Sequence, residues 1–169
     1  NVEAWAAALK LYQFTEAQPS GVPREDVRRW RFLAANECVM QLHHFKERIQ
    51  KIKGFKIRGC PSLSDVIDHV KLRQVSRALD ESFPHIDRLR DAVAHTASID
   101  TNPKKHAPDG LFALVGFREK HRFSSPYEGS IYFLDLNAES MRKIEETEAL
   151  FLSAFVAAAA KLEFEGHLA

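Results

Sequence analysis

The chain has 169 residues, 45% of them hydrophobic and 28% charged, with 7 glycines and 7 prolines, which suits one globular domain and excludes a disordered or fibrous chain. Against 23 acidic residues, 24 lysines and arginines leave a net charge of +1, so bulk electrostatics selects no partner. Two cysteines, Cys38 and Cys60, with no C-x-x-C pair, are too few for a disulfide framework or a cysteine-based zinc site.

Asn1-Val2-Glu3-Ala4-Trp5 lacks the basic segment and apolar core of a signal peptide, and the longest apolar stretch, near 150–162, is too short for a bilayer. The expectation is a cytoplasmic protein with no membrane association.

Residues 2–17, Ala-rich with Trp5, Leu9, Tyr12 and Phe14, predict a helix that ends at Gln18-Pro19-Ser20-Gly21. Pro23 suits the first turn of a long helix running to about Lys53. Its apolar face is Val27, Trp30, Ala34, Cys38, Leu42, Phe45, Ile49 and Ile52, which makes Cys38 a buried reduced thiol. Gly54 ends it. After Gly59-Cys60-Pro61, Ser62 or Ser64 can cap a further helix with Leu63, Val66, Ile67, Val70, Leu72, Val75, Leu79 and Phe83 on its face, and room for a break near His69. Pro84 opens another, with Ile86, Leu89, Val93 and Ala97 inward, fraying by Ser98 before a polar loop at 100–110.

The period then changes. Residues 111–117 and 130–136 predict a β-hairpin whose loop contains Ser124-Ser125-Pro126 and Gly129. Asn137 caps a last helix with Met141, Ile144, Glu148, Phe151, Phe155, Ala159 and Leu162 on its face. The fold expected is mainly α: a bundle of four to five helices in one domain over 1–169, with a β-hairpin (about 111–136) inserted before the C-terminal helix.

The chain has no Gly-rich phosphate loop, G-x-S-x-G elbow or H-E-x-x-H. His43 and His44 point about 100° apart on a helix and suit no shared metal, so neither metal nor cofactor is expected. His69 and His85 read as local hydrogen-bonding residues at helix boundaries, and Glu145, Glu146 and Glu148 as a solvated acidic face. Lys46, Arg48, Lys51, Lys53, Lys56 and Arg58, opposed only by Glu47, could follow a phosphate backbone or form the water-facing side of a helix.

Arg90-Asp91-Ala92-Val93-Ala94-His95 puts three polar residues on a helix otherwise built for burial. Asp91 and His95 are one turn apart on one face, while Arg90 lies about 140° round from His95. Two copies across a symmetry axis could bring both pairs to a common cleft, which favours an isologous homodimer. The plainer reading is a histidine on the helix C-terminal carbonyls and a surface Arg–Asp ion pair.

The motif resembles the signature of HEPN (higher-eukaryote and prokaryote nucleotide-binding) domains: Arg, then Asn, Asp or His, three variable residues, then His. Arg90, Asp91 and His95 fill the fixed positions. HEPN domains are helical bundles with the motif on a late core helix and one long helix after it, so the likeness extends loosely over most of the chain. Many are metal-independent endoribonucleases of toxin–antitoxin and phage-defence systems. The resemblance implies that His95 is general acid or base in attack of an RNA 2′-OH on the adjacent phosphate, leaving 2′,3′-cyclic phosphate ends. Arg90 would stabilise the phosphorane and Asp91 would orient His95 or Arg90. Lys104, Lys105, His106, Arg118, Lys120 and Arg122 would hold RNA phosphates, and an antitoxin protein is an implied partner. In one toxin subset a Tyr, the target of adenylylation, follows two residues after the motif His. Here that position is Ala97. Some HEPN-like proteins keep the fold without catalysis, which implies as the alternative a silent module for nucleotide or RNA binding or for protein–protein interaction.

Overall fold

The computed structural model describes residues 2–52, 59, 61–95, 116–119 and 121–164. Helix α1 (Val2–Glu16) buries Trp5, Leu9 and Tyr12, one helical stripe, against α2 (Arg24–Lys51). The link between them takes the left-handed region at Gln18 (φ 49°) and Gly21 (φ 82°). Pro23, at φ −56°, precedes the first turn of α2 with its dihedral already near helical.

Helix α2 buries Ala34, Ala35, Cys38, Val39, Leu42, Phe45 and Ile49. Burial pushes the Cys38 thiol up to about 12, which keeps it an inert, protonated core group. Trp30, expected on this stripe, is 39% exposed. A period of 3.6 carries the face from Val27 to Arg31 rather than to Trp30, and Arg31 turns to α1 to meet a carboxylate.

The short α3 (Pro61–Ser64) precedes α4 (His69–Ser82), so the break falls near His69 as expected. The cap of α4 is Asp68, not Ser62 or Ser64: its Oδ1 accepts from Val70 N at 2.9 Å and Lys71 N at 3.0 Å. Leu72, Val75 and Leu79 are buried, and Val70 is exposed. Helix α5 (Ile86–Ala94) buries Ile86, Leu89 and Ala92 against α2 and the sheet. Ala97 and the loop at 100–110 lie outside the described residues.

A three-stranded antiparallel meander, β1 (Gly116–Glu119), β2 (Arg122–Tyr127) and β3 (Ser130–Asp135) in that order, stands where the hairpin was expected, and β3 pairs with β2 rather than with β1. The Ser124-Ser125-Pro126 segment is buried strand rather than loop, and the turn to β3 is Glu128-Gly129. Both turn residues have positive φ, 48° and 78°, the twist a two-residue hairpin requires. Pro126 lies beyond the last described β1–β2 pair, Gly116–Ser124, where a missing N–H disturbs the ladder least.

Asn137 caps α6 (Ala138–Ser153) through its side-chain oxygen, which accepts from Ser140 N at 3.0 Å. The expected single last helix is broken at Ala154–Phe155 and resumes as α7 (Val156–Phe164). Hydrogen bonds from Ala154 N to Phe151 O and from Phe155 N to Leu152 O tighten the turn to a three-residue step. That shifts the phase, so Ala158 is buried and Ala159, expected inward, is exposed. The bundle of α1, α2, α4, α5 and α6 closes over one main core that includes Trp5, Tyr12, Leu42, Ile49, Leu79, Ile86, Leu89, Phe123, Leu136 and Ile144. Among the described residues no helix is long and apolar enough to cross a membrane.

Candidate functional site

Helix α5 is short, and its buried face pins its opposite face toward solvent. Asp87 meets Lys46 and His43 on α2, and Arg88 meets Glu128 at 3.0 Å, so the first turn of α5 is tied to neighbouring elements. The motif residues follow, C-terminal to these ties. Arg90 Nη1 donates to Asp91 Oδ1 at 3.0 Å, with both side chains about a third exposed, so Asp91 engages the arginine. The Arg90 Nε is buried with no hydrogen-bond partner among the described residues.

His95 caps α5: its backbone N–H donates to Asp91 O at 2.9 Å, and its side chain is exposed. The imidazole stacks on the Tyr127 ring at the end of β2, with centroids 6.3 Å apart and planes 18° apart. A half-buried guanidinium held by a carboxylate, with an exposed imidazole steadied by an aromatic ring, can bind a phosphate and move a proton.

The expected RNA contacts fare unevenly. Lys104, Lys105, His106 and Lys120 lie outside the described residues, and Arg118 lies on β1. Arg122 is engaged by Asp135 at 2.7 and 3.3 Å, with its guanidinium 5.8 Å from the Phe133 ring centroid. Of the basic run, Lys46 is no water-facing lysine: its Nζ sits 2.8 Å from both Asp80 and Asp87. Burial alone would lower its pKa, and the two carboxylates overcome that and raise it. Lys53, Lys56 and Arg58 lie outside the described residues. Among the described residues no three His, Cys, Asp or Glu side chains converge as metal ligands.

A second polar cluster escaped the sequence reading. The Glu16 Oε1 accepts from Arg31 Nη2 at 2.7 Å, from Tyr12 Oη at 3.0 Å and from the His121 backbone N–H at 3.2 Å, while Oε2 lies against His121 Nδ1. Arg31 also donates to Tyr12 Oη at 3.0 Å and lies 5.2 Å from that ring's centroid. Burial pushes the Tyr12 phenol up to about 12 although Arg31 opposes it, so the hydroxyl remains a donor. His121 adopts φ 66°, a conformation that a non-glycine residue holds only when its surroundings fix it. The i, i+4 pair Tyr12–Glu16 and the arginines at 24, 28 and 31 on one helix face were the available signals. Comparisons with models of protein families, with curated proteins and with solved structures find no match to this chain.

Proposed function

We propose that the chain is a HEPN-like, metal-independent endoribonuclease that acts as a homodimer on cytoplasmic RNA within a toxin–antitoxin or phage-defence system. The observation that carries this reading is the Arg90-Asp91-x-x-x-His95 constellation on the exposed side of α5, with Arg90 held by Asp91 and His95 stacked on Tyr127. In the reaction, His95 takes the proton of an RNA 2′-OH as the oxygen attacks the adjacent phosphorus. Arg90 stabilises the charge gathering on the phosphorane oxygens, and the 5′ oxygen leaves with a proton. The products are a 2′,3′-cyclic phosphate and a 5′-hydroxyl. DNA lacks the nucleophile and is not cut. The partner copy would bring its Arg90 to this His95, since one helix points the two about 140° apart.

A catalytically silent RNA-binding or protein-binding module is the second reading. It is favoured by the Arg90–Asp91 ion pair, which already occupies the guanidinium within one chain. Cleavage of mixed cellular RNA in the presence of a chelator, by wild type and by His95→Ala, separates the two. Cyclic-phosphate ends from the wild type alone support the ribonuclease; no cleavage, or equal cleavage, sinks it and leaves the module.

A further inference from the structure

The C-terminus of α1, the link after it and the start of α2 enclose an open cleft of about 1330 Å³. That exceeds the roughly 300–1,000 Å³ of an ordinary small-molecule pocket, so the cleft suits an extended ligand better than a compact one. Arg24, Arg28, Arg29 and Arg31 line it against only Glu16 and Glu25. This local excess of positive charge is larger than the net charge of +1 carried by the whole chain. Arg31 is neutralised by Glu16 and locked by Tyr12, which makes it a rigid wall rather than a ligand group. Arg24, Arg28 and Arg29 are exposed and form no ion pair among the described residues. Three solvent-facing guanidiniums on two turns of one helix suit a row of phosphates, each presenting a flat two-donor fork.

The cations of a positive groove track the backbone of a single-stranded nucleic acid. The exposed Trp30 lies with Asp26 on the face of α2 that the lining omits, and Phe14 is not among the lining residues. Strand β2 joins the cleft to the motif. The turn before it sets His121 against Glu16, and its far end sets Tyr127 against His95, about 20 Å further along at a β-strand's rise.

We propose that this cleft is a binding groove for single-stranded RNA, in which Arg24, Arg28 and Arg29 hold the backbone phosphates. It uses none of Arg90, Asp91 and His95. Only its role in delivering RNA to His95 rests on the ribonuclease reading.

The test uses the whole chain and a fluorescent 2′-O-methyl oligouridylate, which no 2′-OH attack can cut, titrated at several salt concentrations. Wild type binds, and log affinity falls with log salt by about 2 units more steeply than in Arg24→Gln/Arg28→Gln/Arg29→Gln, at about 0.7 per phosphate. Trp30→Ala, outside the lining, leaves affinity and slope unchanged; a loss there would put the RNA on the other face of α2 and overturn the groove. Because all these positions are exposed, circular dichroism should show the variants folded; Arg28→Glu alone, which weakens binding at least tenfold, stands in if the triple variant is not. The groove is overturned if the oligouridylate does not bind, if the arginine variants bind it like wild type, or if uridine monophosphate displaces it at equal concentration. Binding at the arginines with no cleavage of ordinary RNA leaves the groove standing and removes the ribonuclease. Cleavage that survives in the arginine variants with KM unchanged does the reverse.

Discussion

The His95 imidazole lies over the Tyr127 ring, 6.3 Å between centroids with planes 18° apart, and so joins the end of α5 to the end of β2. The stack restrains the side-chain torsions of His95, so the ring acts as a positioning contact. An aromatic pair contributes about 0.5–1.5 kcal/mol. For the proposed cleavage, Tyr127→Leu should lower kcat about three- to tenfold with KM little changed, and Tyr127→Phe should restore it. Equal losses in the two variants would assign the effect to the hydroxyl rather than to the stack.

The Glu16 carboxylate supports three groups at once: Arg31, Tyr12 and His121. Its side chain is 8% exposed and that of Arg31 26%, so little water can replace what is lost. Glu16→Gln keeps the shape but strands a guanidinium. The expected loss in denaturant unfolding is about 2 kcal/mol, below the roughly 3–5 of a fully buried pair because Arg31 keeps Tyr12. Unchanged stability would mean that the cluster is solvated.

Tyr12 sets the alkaline side of stability. Its folded pKa, raised by burial from 10.0 to about 12, lies above the unfolded one. Its contribution is therefore complete below pH 10 and is lost as pH climbs through 12. A phenolate absorbance step near pH 12 should be present in wild type and absent in Tyr12→Phe. Titration of all three tyrosines together near pH 10 would contradict this.

Lys46 and Asp87 give the stability curve two further limbs. Burial would raise the Asp87 pKa, but Lys46 and His43 outweigh it and hold the group below 3.8, so its stabilisation is present above that pH and lost as pH falls further. Lys46 is held above 10.5, so its stabilisation is intact below that value and lost above it. Replacing Lys46 with Met should flatten both limbs while leaving the wild-type and variant curves closest at the two extremes. A constant offset across the whole pH range would refute the linkage.

Helix existence was legible because stripes such as Trp5–Leu9–Tyr12 and Cys38–Leu42–Phe45–Ile49 repeat at the helical period. Phase was less so. One residue of drift put Arg31 where Trp30 was expected, and a tightened turn at Ala154 exchanged Ala158 for Ala159. Ser124-Ser125-Pro126 read as loop because serine and proline are turn formers, yet burial on the core side decided for strand. The motif at 90–95 is local and could be read directly. The Glu16–His121 contact joins residues 105 apart, and no local pattern announces it.

The junction where α4 begins and α6 ends depends on Asp68. Its side chain caps α4, its backbone N–H donates to Ala154 O at 3.0 Å, and Lys71 Nζ donates to Ser153 O at 3.2 Å. The broken turn between α6 and α7 thus has its carbonyls taken up by the first turn of α4, over the small core of Ile67, Leu72 and Ala154. Asp68→Ala should cost about 1 kcal/mol through the cap alone. If cap and junction act as one unit, Asp68→Ala and Lys71→Met will not add: the double variant will lose less than the two singles together. Strict additivity would mean that the α6–α7 break holds its shape without α4.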